Sequence, residues 1–340
     1  MNKRIKDILK LVIFLALGVF FVWWSIKDLD NEQRSSILSN AMSALKGNNW
    51  IFLTIGLIIC FLSVVFRALR SVLMIEPLGH KISKANAYHG VTICYLANLA
   101  FPRLGEVLRC TVLQQYEKIP FQKSFGTIVT ERIIDMFFLL SLLVGAFFLE
   151  SDKLLQIFTD NNGYDKVEAI VSGTGKYIAI GIFLLLALLV YVFRKKIASI
   201  PILQKIIKIV KGFGEGLLSV RKVRSPLLFI FYSVMIWVCY YFAFYVCIFI
   251  FPSLTALGST AFAASLTCLA IGAIGFLVAQ GGLGAYPWLI SIVLVLYGIK
   301  AEEGLAIGWV VWTIETGLYL LAGLVSLVVL AIKKNRDVSD

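Results

Sequence analysis

Long apolar runs, interrupted by charge at only a few places, dominate the pattern along this chain. Six of them reach the roughly 20 residues a helix needs to cross a bilayer: Ile8–Ile26, Trp50–Val72, Ser124–Leu149, Tyr177–Phe193, Pro226–Ile250 and Leu305–Ile332. None shows the two-residue alternation of a barrel strand. The runs therefore predict α-helices, which satisfy their backbone groups within each segment.

Two stretches depart from this pattern. From Asn86 to Phe101 the chain is apolar for only 16 residues before it meets Pro102, and a second short helix is predicted from about Leu104 to Tyr116. At 1.5 Å per residue the first piece reaches about 24 Å, short of a hydrocarbon core of roughly 30 Å. Proline removes an amide donor and disfavours helix at the residue before it, so a break is predicted at Phe101, with Pro102 and Gly105 as hinges of a re-entrant hairpin. The second stretch, Ser259 to Gly298, is interrupted at Gln280-Gly281-Gly282-Leu283-Gly284. Gly281, Gly282 and Gly284 permit a tight turn, and Ala285 to Gly298 is again too short to span. On its first limb Thr260, Ala264, Cys268 and Gly272 recur every four residues, a small-residue face for close helix packing.

The two breaks align. Arg103-Leu104-Gly105-Glu106 matches Gly282-Leu283-Gly284-Ala285; Ser124 and Gly304 follow the matched glycines by 19 and 20 residues, and Asp135 and Glu315 lie 11 residues further on. The fold class expected is an all-α polytopic membrane protein with six full spans and two oppositely oriented re-entrant hairpins. Residues 1–340 form one integral-membrane domain, in which 8–149 and 177–332 are the halves of an inverted-topology repeat. Sites in such repeats lie near the midplane, where broken helices meet.

Composition agrees with the pattern. Of the residues 59% are apolar and 15% charged, with a mean hydropathy of +0.88, too little polar surface to coat a soluble globule. The net charge of +12 raises the possibility of nucleic acid, but its placement argues against such a partner. Lys3, Arg4, Lys6 and Lys10 precede the first run, a dense basic set from Arg194 to Arg224 lies between the fourth and fifth, and Lys333, Lys334 and Arg336 follow the last. Loops on the other side carry Glu150, Asp152, Asp160, Asp165 and Glu168. This positive-inside pattern places both termini in the cytoplasm. The first run ends in Trp23-Trp24-Ser25 with no small-x-small cleavage site and reads as an uncleaved anchor. The six cysteines lack paired spacing and read as small buried hydrophobes. Pro201 to Val220, with lysines among isoleucines, reads either as a helix on the anionic cytoplasmic leaflet or as a solvated connector.

The chemistry lies in the charges within the apolar runs. Arg103, Glu106 and Arg109 fall on the first half-helix, and Glu131, Arg132 and Asp135 on the span that follows it. Glu106 with Arg109, and Arg132 with Asp135, are three residues apart, so each pair can share a helix face. They are either structural ion pairs or an anion site. The arginine fork suits phosphate, and the half-helix after Pro102 points its amide-rich N-terminus at the hairpin tip. Arg103, Arg109 and Arg132 are the candidates to hold a phosphate. Glu106, Glu131, Asp135 and Glu315 are the candidates to orient those arginines, receive a cationic group or exchange protons. Arg67 and Arg70 close the second run and His80 and His89 flank the next loop, where snorkelling accounts for them. No HExxH, GxSxG or GxxxxGK[ST] motif occurs, so no catalytic constellation, metal or cofactor is expected.

The Asn98…Pro102-Arg103-Leu104-Gly105-Glu106…Arg109 run, the Glu131-Arg132…Asp135 run and the Gly281-Gly282-Leu283-Gly284 loop resemble the lysylphosphatidylglycerol synthase transmembrane-region family, also described as flippase-like. The likeness covers about Ile8 to Leu330. Larger relatives carry this unit before a cytoplasmic aminoacyl-transferase domain; the resemblance implies the lipid-translocating part without the synthase, in a bacterial inner membrane. Family members often have a proline shortly before the Gly-Gly, where this chain has Val278-Ala279-Gln280. The function expected is translocation or binding of anionic or aminoacylated phospholipids, or of lipid-linked phosphates, with Asn98 joining the charged residues as a site residue and a separate lipid-modifying enzyme as a possible partner. An enzyme acting on lipid-linked sugars and a secondary transporter of a soluble anion are the alternatives. The inverted layout puts Lys81 and Lys300 on opposite sides of the membrane. Single cysteines at these positions are expected to react with an impermeant thiol reagent from opposite faces of sealed vesicles, and labelling from one face would refute the layout.

Overall fold

The computed structural model of the chain describes residues 16, 18–27, 29–101, 103–149 and 223–339. Among these residues every regular element is helical and no strand occurs. The chain divides into two compact units, Met1–Ala146 with Val220–Asp340, and Phe147–Ser219. Apart from 147–149 the second unit lies outside the described residues. So do the first half of the predicted first run, the Tyr177–Phe193 run, the acidic loop from Glu150, the Pro201–Val220 segment and the hinge Pro102.

After a helical stretch over 18–26, the helices are α1 (Asn31–Ser43), α2 (Asn49–Ile75), α3 (Lys84–Ala100), α4 (Leu104–Glu117), α5 (Phe121–Leu149), α6 (Pro226–Tyr245), α7 (Pro252–Ala256), α8 (Thr260–Val278), α9 (Ala285–Val295) and α10 (Ala301–Ser339). Five stretches are long and apolar enough to cross a membrane: Asn49–Leu78, Phe121–Leu149, Pro226–Phe249, Thr260–Val278 and Ala301–Lys333. Four of them coincide with predicted full spans. The fifth is the first limb of the second broken segment.

Both predicted breaks are present as changes of chain direction. Helix α3 ends at Ala100, and Phe101 is extended at φ −138°, ψ 132°, the conformation a following proline imposes. Arg103 then adopts the left-handed conformation at φ 62° and α4 begins. The two limbs pack closely because Gly105 has no side chain: a Cβ there would overlap the Cys94 carbonyl oxygen and lie 2.7 Å from Asn98 Cγ. In the second segment α8 gives way to an extended Ala279 and a single tight turn over Gln280–Gly282, with Gly281 at φ 57°. Here the close approach sits before the break, where a Cβ on Gly275 would come within 2.8 Å of the Tyr286 backbone on α9. Ala264, Cys268 and Gly272 of the small-residue face are buried as expected, whereas Thr260 is exposed.

The two hairpins touch at their breaks. The Gln280 side-chain amide donates to the Asn98 backbone carbonyl. A Cβ on Gly281 would lie 3.2 Å from the Leu99 side chain. Helix α10 clasps both: its Trp312 Nε1 donates to the Gly281 carbonyl at 2.8 Å, and its Ser326 hydroxyl is bonded to Thr92 and His89 of α3 at 2.7 and 2.9 Å. His89 is thus tied into the bundle rather than left at a boundary. Around this frame α2 packs along α6 and α9 along α10. The largest apolar cluster joins Phe244, Cys268, Ile290, Leu294 and Ile307. All six cysteines are free and buried.

Candidate functional site

The intramembrane charges converge between the first hairpin, α2 and α5. Arg109 of α4 donates through both terminal nitrogens to Glu131 of α5, at 2.9 Å each, and both residues are buried. One turn further along α5, Asp135 accepts from Arg67 Nη1 at 2.5 Å and from Arg70 Nη1 at 2.8 Å, one oxygen for each arginine of α2. Arg70 Nη2 lies 3.9 Å from Glu131 Oε2, which joins the two groups. On the outer side Arg132 Nη2 donates to Glu106 Oε1 at 2.9 Å, and Asn98 Nδ2 approaches the same oxygen at 3.4 Å. Asn98 Oδ1 also accepts from the Gly105 amide at 2.8 Å, capping the start of α4. Its side chain and its carbonyl thus serve both breaks.

Of the residues singled out from sequence, Asn98, Glu106, Arg109, Glu131, Arg132 and Asp135 come together here. Their pairing differs from expectation. Glu106 does not pair with Arg109, nor Arg132 with Asp135; each charge reaches across to another helix, and for Arg109 this lets both prongs of the guanidinium fork meet Glu131. Arg103 stays outside the network, exposed at the turn, with no ion pair among the described residues. Glu315 also lies apart, half-buried on α10 with the Tyr319 hydroxyl donating to it at 2.7 Å. The hinge Pro102 is not among the described residues, while Gly105, Gly281, Gly282 and Gly284 occupy the breaks.

Arg67 and Arg70 require a correction. Snorkelling at a boundary accounts for arginines whose heads reach water, but Arg70 is fully buried and Arg67 is 5% exposed, and both heads are held by Asp135. The sequence carries a signal for them: the spacing of three puts both on one face of α2 together with Ser63, Val64 and Ser71, all buried. Tyr95, Tyr240 and Ser233 also belong to the site. Arg67 Nη2 donates to the Tyr240 hydroxyl at 3.4 Å, Tyr240 and Tyr95 share a hydrogen bond at 3.3 Å, and Arg70 Nη1 reaches Ser233 at 3.3 Å.

Four arginines therefore stand against three carboxylates in one region, buried except at Arg132, a surplus of one positive charge. Hydrogen bonding there is incomplete. Arg67 Nε, Arg70 Nε and Nη2 and Glu106 Oε2 are buried and lack partners among the described residues. The three free guanidinium donors give such a site capacity for an anion with several acceptor oxygens, whereas Glu106 Oε2 can only accept.

A protein-family model described as "Lysylphosphatidylglycerol synthase TM region" matches residues 8–323. Comparison with curated proteins and with solved structures gives no match.

The Arg109–Glu131 pair shows what the arrangement demands. Glu131→Gln leaves a buried guanidinium without its counter-charge, a loss of about 3–5 kcal/mol. Adding Arg109→Met removes the stranded charge and is expected to recover much of that loss. Unfolding in detergent, followed for the two single variants and the double variant, measures the coupling. Additive losses would show that the two side chains do not act as a pair.

Proposed function

The chain belongs to the lysylphosphatidylglycerol synthase TM-region family, and on that premise we propose that this multi-pass membrane protein binds and translocates phospholipids, or lipid-linked phosphates, through a phosphate site at the first hairpin. The observation that carries the reading is Arg132. Its side chain is 42% exposed while bonded inward to Glu106, and its surroundings on α4 and α5 include the exposed apolar side chains of Val107, Val129 and Met136. A guanidinium on an apolar, lipid-facing surface is costly unless an anion meets it, and a phosphodiester headgroup is the anion the bilayer supplies. Arg103 supports the same reading. A non-glycine residue in the left-handed region is strained, strain of this kind collects at binding sites, and Arg103 stands at the amide-rich start of α4.

In this account Arg132 receives the headgroup phosphate, and Arg103 draws it towards the exposed turn. Asn98 and Glu106 hold Arg132 in place, and Arg109 and Arg67 with Arg70 supply the positive potential behind them. An anionic or aminoacylated headgroup fits, and a separate enzyme would make the aminoacylated form. We read the chain as a carrier, with neither an enzymatic step nor a cofactor.

The two breaks are read as re-entrant hairpins entering from opposite faces, within six full spans and an inverted repeat. Three features support this: α3, α4 and α9 are too short to cross, the breaks meet through Gln280 and Asn98, and Asp135 and Glu315 each lie fourteen residues after the start of their long helix. The basic loops place both termini in the cytoplasm of a bacterial inner membrane.

Reconstitution into vesicles with fluorescent phosphatidylglycerol, aminoacylated phosphatidylglycerol or phosphatidylcholine, read by an external quencher, tests the proposal. Faster exposure of phosphatidylglycerol or its aminoacylated form than of phosphatidylcholine is expected, with a loss of about tenfold in Arg132→Ala, the size of one lost charge-assisted hydrogen bond. No headgroup dependence, or an unchanged rate in Arg132→Ala, would overturn it.

A further inference from the structure

Glu315 is the intramembrane carboxylate that the phosphate site does not use. Among the described residues Glu131, Asp135 and Glu106 hold arginines, whereas Glu315 holds only the Tyr319 hydroxyl. Among the described residues Cys60 of α2, Tyr286 of α9 and Tyr319 of its own helix are titratable groups that feel its charge, and each is neutral near pH 7. Beyond Tyr319 a continuous path leads to the arginines. Tyr319 stacks on Tyr95 of α3 with ring centroids 4.3 Å apart and an interplanar angle of 14°. The Arg67 guanidinium lies 5.9 Å from the Tyr95 ring centroid. Tyr95 and Tyr240 share a hydrogen bond, and Arg67 donates to Tyr240.

Charge neutrality decides what this placement means. The buried cluster, from which the exposed Arg103 is separate, carries one surplus positive charge, and an ionised Glu315 across the tyrosine stack is the counter-charge that balances it. A phosphodiester entering the cluster brings one negative charge and takes up that surplus. With both anions present the region would hold an uncompensated charge at low dielectric, which is strongly disfavoured. Neutrality returns if one carboxylate takes a proton. The three arginine-bound carboxylates would lose an ion pair by doing so, and Glu315 would not.

We infer that Glu315 binds a proton each time the arginine cluster binds an anionic phosphate, so that headgroup and proton are carried together. This rests on the phosphate site proposed above. The proton comes from water and bonds to Glu315 Oε2, while Oε1 continues to accept from Tyr319; when the phosphate leaves, the proton returns to water. Tyr95 and Tyr319 meet through their rings rather than their hydroxyls, so the coupling is electrostatic and no proton passes along the tyrosines. Helix α10 also ties this event to the breaks, since Trp312, which holds the Gly281 carbonyl, is three residues before Glu315 on the same face.

The test uses the full chain in detergent, with short-chain phosphatidylglycerol as titrant in weakly buffered solution containing a pH dye. The wild type is expected to take up close to one proton per bound lipid near neutral pH. Glu315→Gln, an isosteric neutral residue whose amide oxygen still accepts from Tyr319, is expected to bind the lipid without proton uptake and with no pH dependence of affinity. Dimethyl phosphate, the bare diester, serves as a second titrant: uptake with it too shows that the phosphate suffices, and uptake with the lipid alone shows that the acyl chains are needed to place it. Equal proton uptake by Glu315→Gln and the wild type would overturn the inference while leaving the lipid site intact. Failure of phosphatidylglycerol to bind the wild type would refute the phosphate site instead. In that case infrared difference spectra between two pH values still test Glu315 itself, because a protonated-carboxyl band absent from Glu315→Gln is expected, and the same band in both proteins would exclude it as the proton site.

Discussion

A charged side chain within an apolar helix bundle must find its partner inside the protein, and this constraint organises the first half of the molecule. Arg67 and Arg70 on α2, Arg109 on α4 and Glu131 with Asp135 on α5 satisfy one another across three helices that are not all sequence neighbours. Glu131 and Asp135 each have both carboxylate oxygens in use, Glu131 with Arg109 and Asp135 with Arg67 and Arg70. Apolar packing alone would let α5 rotate or slide along its neighbours, whereas two carboxylates one turn apart, each bound to a different helix, set its depth and rotation. The same pairing leaves one positive charge over, and the proposed anion site rests on that surplus.

The broken helices answer a second constraint, that non-helical backbone at membrane depth needs protein or water against it. The two breaks supply this to each other: Gln280 covers the Asn98 carbonyl, Asn98 caps the Gly105 amide, and Trp312 takes the Gly281 carbonyl. The glycines at Gly105 and Gly275 let each pair of limbs close on the other, one just after its break and one shortly before it. Asn98 is the hinge between structure and chemistry, since the side chain that caps α4 also approaches Glu106, the partner of Arg132.

Much of this was legible in the residues. Apolar run lengths marked the long helices, Pro102 and the Gln280–Gly284 stretch marked the breaks, and the charges on α4 and α5 marked the site. What the sequence did not disclose was partnership. Spacing of three pointed to pairs within a helix, while the observed pairs lie across helices, because a helical period reports which face a residue occupies and says nothing about which helix that face meets. For the same reason Arg67 and Arg70, near the end of an apolar run, looked like boundary residues. Their role depends on Asp135, more than sixty residues away, and on Tyr240 and Ser233, more than 160 residues away. Gln280, read only as the first residue of the glycine-rich break, proved to be a contact between the breaks.

In the proposed mechanism the arginine cluster opens to the bilayer at Arg132 and takes a lipid phosphate there. The most direct measurement is an electron cryo-microscopy map of the protein in phosphatidylglycerol nanodiscs. The account expects headgroup density within hydrogen-bonding distance of Arg132, with the acyl chains running over Val129 and Met136. A map in which Arg132 bonds only to Glu106, and every ordered headgroup sits at the membrane surface away from the first hairpin, would contradict it.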